Sequence, residues 1–328
     1  MILLALSCPQ CGGPLPRQAL WRTVVCPHCR SSVTRASDLV QRAGFRAAWQ
    51  RSQAAAGEGR RVVQAADARY DVLRLLGHGS ASDVYLGRRL GPLASLVTLK
   101  IARDDGGAAS LASEARHLQA LQALDGAGAA YFSRRLPQLI HSGQGSETSG
   151  EARSLSVFRQ PPGYWGSLAA MQSAQPAGVD ARHVVWMWRR VLELLSFVHR
   201  GGWSHGDLVP DHLLVHPGDH GILLIGWSRA RFDSGSAATE ARSRDLAQLA
   251  WAMRSILRGA STGAPDIPAP TPAALAALLL SASEDAAWQA AHDADDVEQA
   301  LTQAANASFG PPRFVPFDPL AVGGIGPS

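Results

Sequence analysis

Apolar and polar residues alternate in several short stretches of the chain after residue 67. Three of these stretches are rich in β-branched and aromatic residues and lie between turn-forming residues, which is typical of strands. They are Tyr70–Leu76, Val84–Arg88 and Ser95–Ile101, and two more stretches of this kind lie near 136–140 and 155–159. The pattern therefore predicts a β-rich segment over this part of the chain.

Elsewhere apolar residues recur every three or four positions, which is the spacing of one face of a helix. This spacing appears over Ser110–Leu124, becomes long and regular after Asp180, and returns over Pro272–Leu280 and Asp295–Ala305. A weaker helical stripe begins after Ser37, a residue type that favours helix N-termini, and runs to about residue 56. A β-rich half followed by a helical half predicts an α+β fold with a cleft between the halves, where ligands commonly bind.

All four cysteines lie in two short pairs near the N-terminus, in the motifs Cys-Pro-Gln-Cys and Cys-Pro-His-Cys, with 14 residues between the pairs. Two such pairs can present four thiolates in a tetrahedron around Zn²⁺ at ~2.3 Å. Thiols without a metal, or another metal, are the alternatives, whereas two disulfides are unfavourable in a reducing cytosol. We therefore predict a structural zinc site with the ligands Cys8, Cys11, Cys26 and Cys29.

The length of 328 residues allows about two domains, and a hydrophobic content of 46% is sufficient for a buried core. The seven residues before Cys8 lack basic charge and are too few for the apolar core of a signal peptide. The sequence has no apolar run of ~18 or more residues, so we expect no membrane-spanning segment. These features predict a cytoplasmic protein without membrane contact.

Basic charge is concentrated in the first 61 residues, which contain nine arginines against Asp38 and Glu58. Such a basic end suits contact with nucleic acid or an acidic protein surface, although a solvated helix and linker is the simpler explanation. The rest of the chain avoids lysine, since Lys100 is the only lysine among 31 basic residues. Heavy use of Ala, Arg and Gly is typical of a GC-rich, bacterial coding bias, so a single lysine marks a position that arginine does not fill.

The segment Leu76–Tyr85 contains Gly77, Gly79 and Val84 at the spacing of the glycine-rich loop of protein kinases, which it resembles. Ser82 stands in place of the third glycine. Glycines in such a loop let backbone amides approach phosphate groups. The resemblance implies that these residues lie over the phosphates of bound ATP.

The strand that ends at Lys100 resembles the kinase strand that carries the ATP-phosphate lysine. Glu114 lies on the next helix, where that family places the ion-pair partner of the lysine; a surface carboxylate on a helix is the alternative. The resemblance therefore implies a Lys100–Glu114 pair at the nucleotide site.

The segment Phe197–Val215 resembles the catalytic loop of the same family, and the match covers about residues 68–305 as a whole. Asp207 has the place of the catalytic base, with a structural loop carboxylate as the alternative. The family's Arg, Lys and Asn are replaced by Gly206, Val209 and His212. Asp245 has the place of the buried aspartate that ties down the catalytic-loop backbone in that family.

The two positions that hold catalytic magnesium in that family are changed. Gly226, in the triplet Gly-Trp-Ser, stands for the aspartate of Asp-Phe-Gly, and His212 stands for the asparagine. Glycine offers no side chain, and imidazole is a poor ligand for a hard, oxygen-seeking cation. We therefore expect that no protein ligand holds Mg²⁺, and that the pocket either binds ATP weakly or uses the Lys100–Glu114 pair only to fix the geometry of the lobes.

The expected fold is α+β: a bilobal, kinase-like body with a β-rich N-lobe and a helical C-lobe, preceded by a small zinc ribbon. The boundaries are a zinc ribbon over 1–35, a helical linker over 36–66, an N-lobe over 67–160, a C-lobe over 161–310 and a flexible tail over 311–328. The alternative for the tail is that Phe314 and Phe317 dock on the body.

The changed metal positions favour a pseudokinase, a non-catalytic scaffold or regulator that binds protein partners of a signalling complex. The resemblance implies phosphatases or adhesion-type domain proteins as such partners. One alternative is an active, unconventional Ser/Thr protein kinase. Another is a nucleic-acid-associated regulator that uses the basic ribbon.

Overall fold

The computed structural model describes residues 6–7, 14–15, 24–25, 32–33, 61–91, 95–147, 150–259 and 267–319. The chain divides into two units, Met1–Arg60 and Arg61–Ser328.

In the first unit, four two-residue strands form two antiparallel pairs. β1 (Leu6–Ser7) pairs with β2 (Pro14–Leu15), and β3 (Val24–Val25) pairs with β4 (Ser32–Val33). Each pair flanks one of the cysteine motifs, but the cysteines themselves lie outside the described residues, as does the helix expected after Ser37. The zinc ribbon therefore stays a prediction.

The second unit begins with a closed barrel of antiparallel strands in the order β10-β8-β7-β6-β5-β9. The strands are β5 (Val62–Ala65), β6 (Ala68–His78), β7 (Ser82–Arg89), β8 (Leu96–Ala102), β9 (Leu139–Glu147) and β10 (Ala152–Arg159). Alternate residues of β8 fill the barrel interior, where Val97, Leu99 and Ile101 are buried. This period of two places Thr98 and Lys100 on the other face of the strand.

The barrel begins earlier than the expected N-lobe boundary at residue 67. The four residues of β5 are too few to show a period, and β5 pairs with β9 over a large sequence separation. Arg61 reinforces this closure because its Nε donates to Glu147 at 3.0 Å. The long-range pairing explains why local pattern alone assigned these residues to the linker.

Helix α1 (Asp105–Gln122) interrupts the barrel strands after β8. Asp104 caps it, because its carboxylate accepts a hydrogen bond from the N–H of Gly107 at 2.7 Å. Glu114 lies on the same buried stripe as Leu111, Ala115 and Leu118. The helix therefore presents a carboxylate from its apolar face. A short α2 (Ala129–Phe132) follows it.

The remaining elements are mostly helical and share one hydrophobic core. The helices are α3 (Leu168–Ala174), α4 (Ala181–Arg200), α5 (Gly235–Arg258), α6 (Ala273–Glu284), α7 (Ala286–Ala291) and α8 (Ala294–Phe309). The short strands are β11 (Gly166–Ser167), β12 (Trp203–Ser204), β13 (Leu213–His216), β14 (Gly221–Leu224) and β15 (Arg231–Phe232). The predicted α+β arrangement, with its sheet-rich first part and helical second part, is confirmed.

Part of the predicted tail packs on the helical half. The ring of Phe314 stacks on His220 with 4.3 Å between centroids, and Phe317 lies 4.6 Å from the ring of His183. These contacts dock the two phenylalanines on the helical half. Among the described helices, none combines the length and apolar character needed to cross a bilayer.

Candidate nucleotide and phosphoryl-transfer site

Lys100 and Glu114 form a buried ion pair between β8 and α1. Nζ of Lys100 lies 2.7 Å from each carboxylate oxygen of Glu114. The two side chains are only 14% and 3% exposed. The structure therefore brings together the two residues that the sequence paired.

Trp227, the middle residue of the Gly-Trp-Ser triplet, connects this pair to the helical half. Its backbone N–H donates to Oε1 of Glu114 at 3.2 Å, and its carbonyl accepts from Nδ1 of His117 at 2.9 Å. The fully buried indole donates from Nε1 to the carbonyl of Leu224 at 2.9 Å. The Trp227 backbone is thus fixed to two side chains of α1, those of Glu114 and His117.

The glycine-rich hairpin lies beside Lys100. Gly77 pairs with Val84 across the turn, and Val84 pairs with Lys100 on β8. Gly79 donates from its backbone to the carbonyl of Ser82 at 2.9 Å. The structure therefore places Val84 beside Lys100, with Gly77 one strand further away and Gly79 at the turn.

Arg103 holds the tip of this hairpin. Its Nη2 donates to the carbonyl oxygens of Gly79 and Ser80, the second at 2.6 Å. The N–H of a trans peptide points opposite to its carbonyl, so the amides of Ser80 and Ala81 point away from Arg103. Sequence reasoning missed this residue, although it follows Lys100 by only three positions.

The catalytic loop is fixed by Asp245 of α5, whose side chain is fully buried. Its two oxygens accept from the backbone N–H groups of His205 at 2.7 Å and Gly206 at 2.8 Å, and His199 Nε2 lies 3.0 Å away. His205 in turn contacts the carbonyl of Ile225 at 3.0 Å. Burial lowers the pKa of His205 to about 4, so this imidazole is a neutral structural group at pH 7.

Asp207 projects from this loop and its side chain is 25% exposed. Nη1 of Arg229 lies 3.8 Å from one of its carboxylate oxygens, and Nδ1 of His212 lies 3.9 Å from the other. Nδ1 of His212 also donates to the backbone carbonyl of Asp207 at 2.7 Å. An accessible carboxylate in this position has the chemistry of a general base for a hydroxyl group.

The imidazole of His212 fills the space above Gly226. A Cβ on Gly226 would lie 2.7 Å from three atoms of that ring, and Gly226 has a φ of +84°. The Nδ1–H of His212 donates to the backbone carbonyl of Asp207. In the neutral imidazole, Nε2 is therefore the nitrogen that can accept a hydrogen bond. The two changed metal positions are therefore in contact and fit each other.

These residues do not fit the magnesium site that the kinase resemblance implies. Magnesium takes oxygen ligands in octahedral geometry, whereas this position offers an imidazole and a glycine. Among the residues that the structure describes, no group of three or more His, Cys, Asp and Glu side chains is placed to hold a metal ion. We therefore derive no chemical step through a protein-held metal.

The chain passes from the triplet to α5 through only six residues, 229–234. Gly206, at φ +78°, lies so close to this connection that a Cβ would be 2.7 Å from the carbonyl oxygen of Arg229. Only glycine allows this contact between the two backbones. The backbone of Arg229 is thereby held beside the loop of Asp207. Sequence reasoning did not identify Arg229 as a site residue, although it directly follows the triplet.

A family model described as the lipopolysaccharide kinase (Kdo/WaaP) family matches residues 96–268, which is more than half of the chain. No curated protein matches the chain significantly. The matched region contains Lys100, Glu114, Asp207 and Asp245.

The prediction of a non-catalytic pseudokinase scaffold is wrong, because the family that the chain matches is a family of kinases. The prediction treated the two changed metal positions, His212 and Gly226, as a loss of function. The structure shows instead that these residues fit each other, while the Lys100–Glu114 ion pair is formed and Asp245 holds the loop around Asp207.

Proposed function

Because the chain belongs to the lipopolysaccharide kinase (Kdo/WaaP) family, we propose that it is an ATP-dependent kinase that phosphorylates a sugar hydroxyl of lipopolysaccharide or a related glycan. The observation that carries this proposal is the buried Lys100–Glu114 pair, which is connected through Trp227 to the loop that bears Asp207. In protein kinases such an ion pair is one of the two features that phosphoryl transfer needs, the other being the metal site.

In the proposed step, Lys100 and the amides of the glycine-rich loop bind the phosphates of ATP. Asp207 accepts the proton of the acceptor hydroxyl. The hydroxyl oxygen forms a bond to the γ-phosphorus as the bond from that phosphorus to the β–γ bridging oxygen breaks, which releases ADP. The protein contributes positioning and charge, and the product is a phosphate monoester on the acceptor.

The short connection over 229–234 supports a small glycan acceptor rather than a protein acceptor. A peptide needs an extended surface beside the catalytic loop on which its backbone can lie. Six residues that lead directly into α5 provide little such surface. A sugar needs only a hydroxyl within reach of Asp207, whose side chain is accessible.

Zinc is part of the proposal for the first unit. Each of the paired strands β1–β2 and β3–β4 flanks one cysteine motif, which supports a site in which Cys8, Cys11, Cys26 and Cys29 bind one Zn²⁺. Four protein ligands leave no open position, so the metal would stabilise this unit and take no part in catalysis.

The proposal is tested by incubating the full chain with γ-labelled ATP and either lipopolysaccharide or a generic protein substrate. We expect label on the glycan, none on the protein, and loss of the label with Asp207→Asn, which removes the base but keeps its shape. Mass spectrometry would identify the phosphorylated sugar. Equal labelling by wild type and Asp207→Asn, or labelling of protein alone, would contradict the proposal.

A further inference from the structure

The transferred phosphoryl group carries negative charge that a kinase must neutralise, and this chain lacks two of the usual means. Val209 stands where the resemblance places a lysine, and His212 with Gly226 replaces the metal ligands. Phosphoryl transfer depends mainly on positioning and charge. Some other cation near Asp207 must therefore supply charge at this point.

Lys100 and Arg103, the cationic side chains beside the glycine-rich hairpin, already make short contacts with protein oxygens. Lys100 is bound to both oxygens of Glu114. Arg103 is bound to the carbonyls at the tip of the glycine-rich hairpin. Arg229 makes only a long contact of 3.8 Å to Asp207, and its side chain is 68% exposed.

The position of Arg229 suits the reacting phosphate. A general base lies about 3 Å from the hydroxyl that it deprotonates, and the attacking oxygen lies about 3 to 3.5 Å from phosphorus. The phosphoryl group must therefore come within about 6 Å of the Asp207 carboxylate. A guanidinium 3.8 Å from that carboxylate has its planar fork of donors within the same small volume.

We propose that Arg229 binds the γ-phosphate of ATP and neutralises the transferred phosphoryl group, in place of the lysine that is absent at Val209. The inference rests on the proposed kinase function and deepens it. The close contact between Gly206 and the carbonyl of Arg229 fixes the backbone from which this side chain extends. The side chain itself is exposed enough to turn from Asp207 to the phosphate.

The test compares the binding of ADP with that of a non-hydrolysable ATP analogue by calorimetry, which needs no acceptor. Arg229→Gln removes the charge, Arg229→Lys keeps it, and Arg231→Gln is a matched control because Arg231 is also exposed and lies two residues further on. We expect Arg229→Gln to lower the affinity for the ATP analogue about tenfold and the affinity for ADP less than about twofold. Arg229→Lys should recover part of the loss, and Arg231→Gln should bind like wild type.

If Arg229→Gln lowers the affinity for both nucleotides equally, or leaves both affinities unchanged, the proposed role of Arg229 is wrong. A rise in the acceptor KM with an unchanged ATP-to-ADP difference would also overturn it, in favour of contact with an anionic acceptor. Wild-type protein that binds neither nucleotide would instead overturn the kinase proposal itself. Because Arg229 is exposed, thermal unfolding of Arg229→Gln should match wild type, which separates these outcomes from misfolding.

Discussion

The imidazole of His212 occupies the volume that a side chain at Gly226 would need, with three ring atoms 2.7 Å from the point where a Cβ would lie. Residues 212 and 226 are 14 positions apart in sequence but depend on each other sterically. A larger residue at one position therefore requires a smaller one at the other.

Gly226→Asp alone should destabilise the protein, because the new side chain meets the His212 ring and a φ of +84° is unfavourable for a residue with a Cβ. The double variant Gly226→Asp with His212→Asn removes the steric conflict. We expect the single variant to lose about 2 kcal/mol of unfolding free energy and the double variant to recover at least half of this. Urea denaturation measures both.

The double variant also supplies the oxygen ligands that the resemblance associates with magnesium. Its ATP affinity should therefore rise on addition of Mg²⁺ more than that of wild type does. His212→Asn alone is the control, since it adds one ligand and leaves Gly226 in place. If the single and double variants unfold at the same urea concentration, the steric dependence between the two positions does not exist.

At the Lys100–Glu114 pair, we expect a second substitution to restore stability without restoring activity. Lys100→Met leaves the Glu114 carboxylate buried without its cation and should cost about 3 kcal/mol of unfolding free energy. Adding Glu114→Gln removes that buried charge and should restore most of the stability. Neither variant should transfer phosphate, because both lack the lysine. Substantial kinase activity in the stabilised double variant would contradict the role given to Lys100.

Buried histidines predict how stability depends on pH. His183 accepts a hydrogen bond from Trp186 Nε1 at 3.3 Å, and burial lowers its pKa from 6.5 to about 4. The unfolded chain therefore binds more protons than the native protein between these values. The stabilisation is complete above pH 6.5 and is lost as pH falls toward 4, by up to about 3 kcal/mol.

His205 has the same direction of shift for the same reason and adds to this slope. His183→Gln keeps an acceptor for Trp186 but does not titrate, so the variant should lose less stability than wild type as the pH falls from about 6.5 to about 4.5. Urea unfolding at a series of pH values gives the comparison. Identical pH profiles for the two proteins would show that folding does not lower the pKa of His183.

The cysteine pairs predict one zinc ion for each chain. Cys8→Ser with Cys26→Ser should abolish zinc retention, because half of the thiolates are then missing. His28→Asn is the matched control and should retain the metal, since His28 lies within the second motif but is not a predicted ligand. Elemental analysis of purified protein measures the ratio, and zinc-free wild type would refute the site.

Much of the fold could be predicted from local patterns in the sequence, whereas the pairing of Lys100 with Glu114 was implied by the resemblance to protein kinases. The period of two along β8 and the helical stripe of α1 place these residues on facing surfaces. Strand β5 could not be predicted, since its partner in β9 is far away in the chain. Arg229 was missed for a similar reason, because only the folded loop brings it beside Asp207.

The functional error has a physical explanation. A motif comparison considers one position at a time, so glycine at 226 and histidine at 212 counted as two separate losses. The structure shows that they form one steric unit. Whether a changed residue means loss of function or a compensated substitution depends on its neighbours in space, which one sequence does not reveal.

The brevity of residues 229–234 has a consequence for control. Kinases that respond to signals order a long loop at this place, where an added phosphate meets an arginine. This chain has six residues there and a glycine, Gly206, where the resemblance places the arginine. For the proposed kinase, these six residues leave little length for such a phosphorylated loop, so we expect its rate to follow the supply of acceptor and nucleotide, as in a constitutive biosynthetic step.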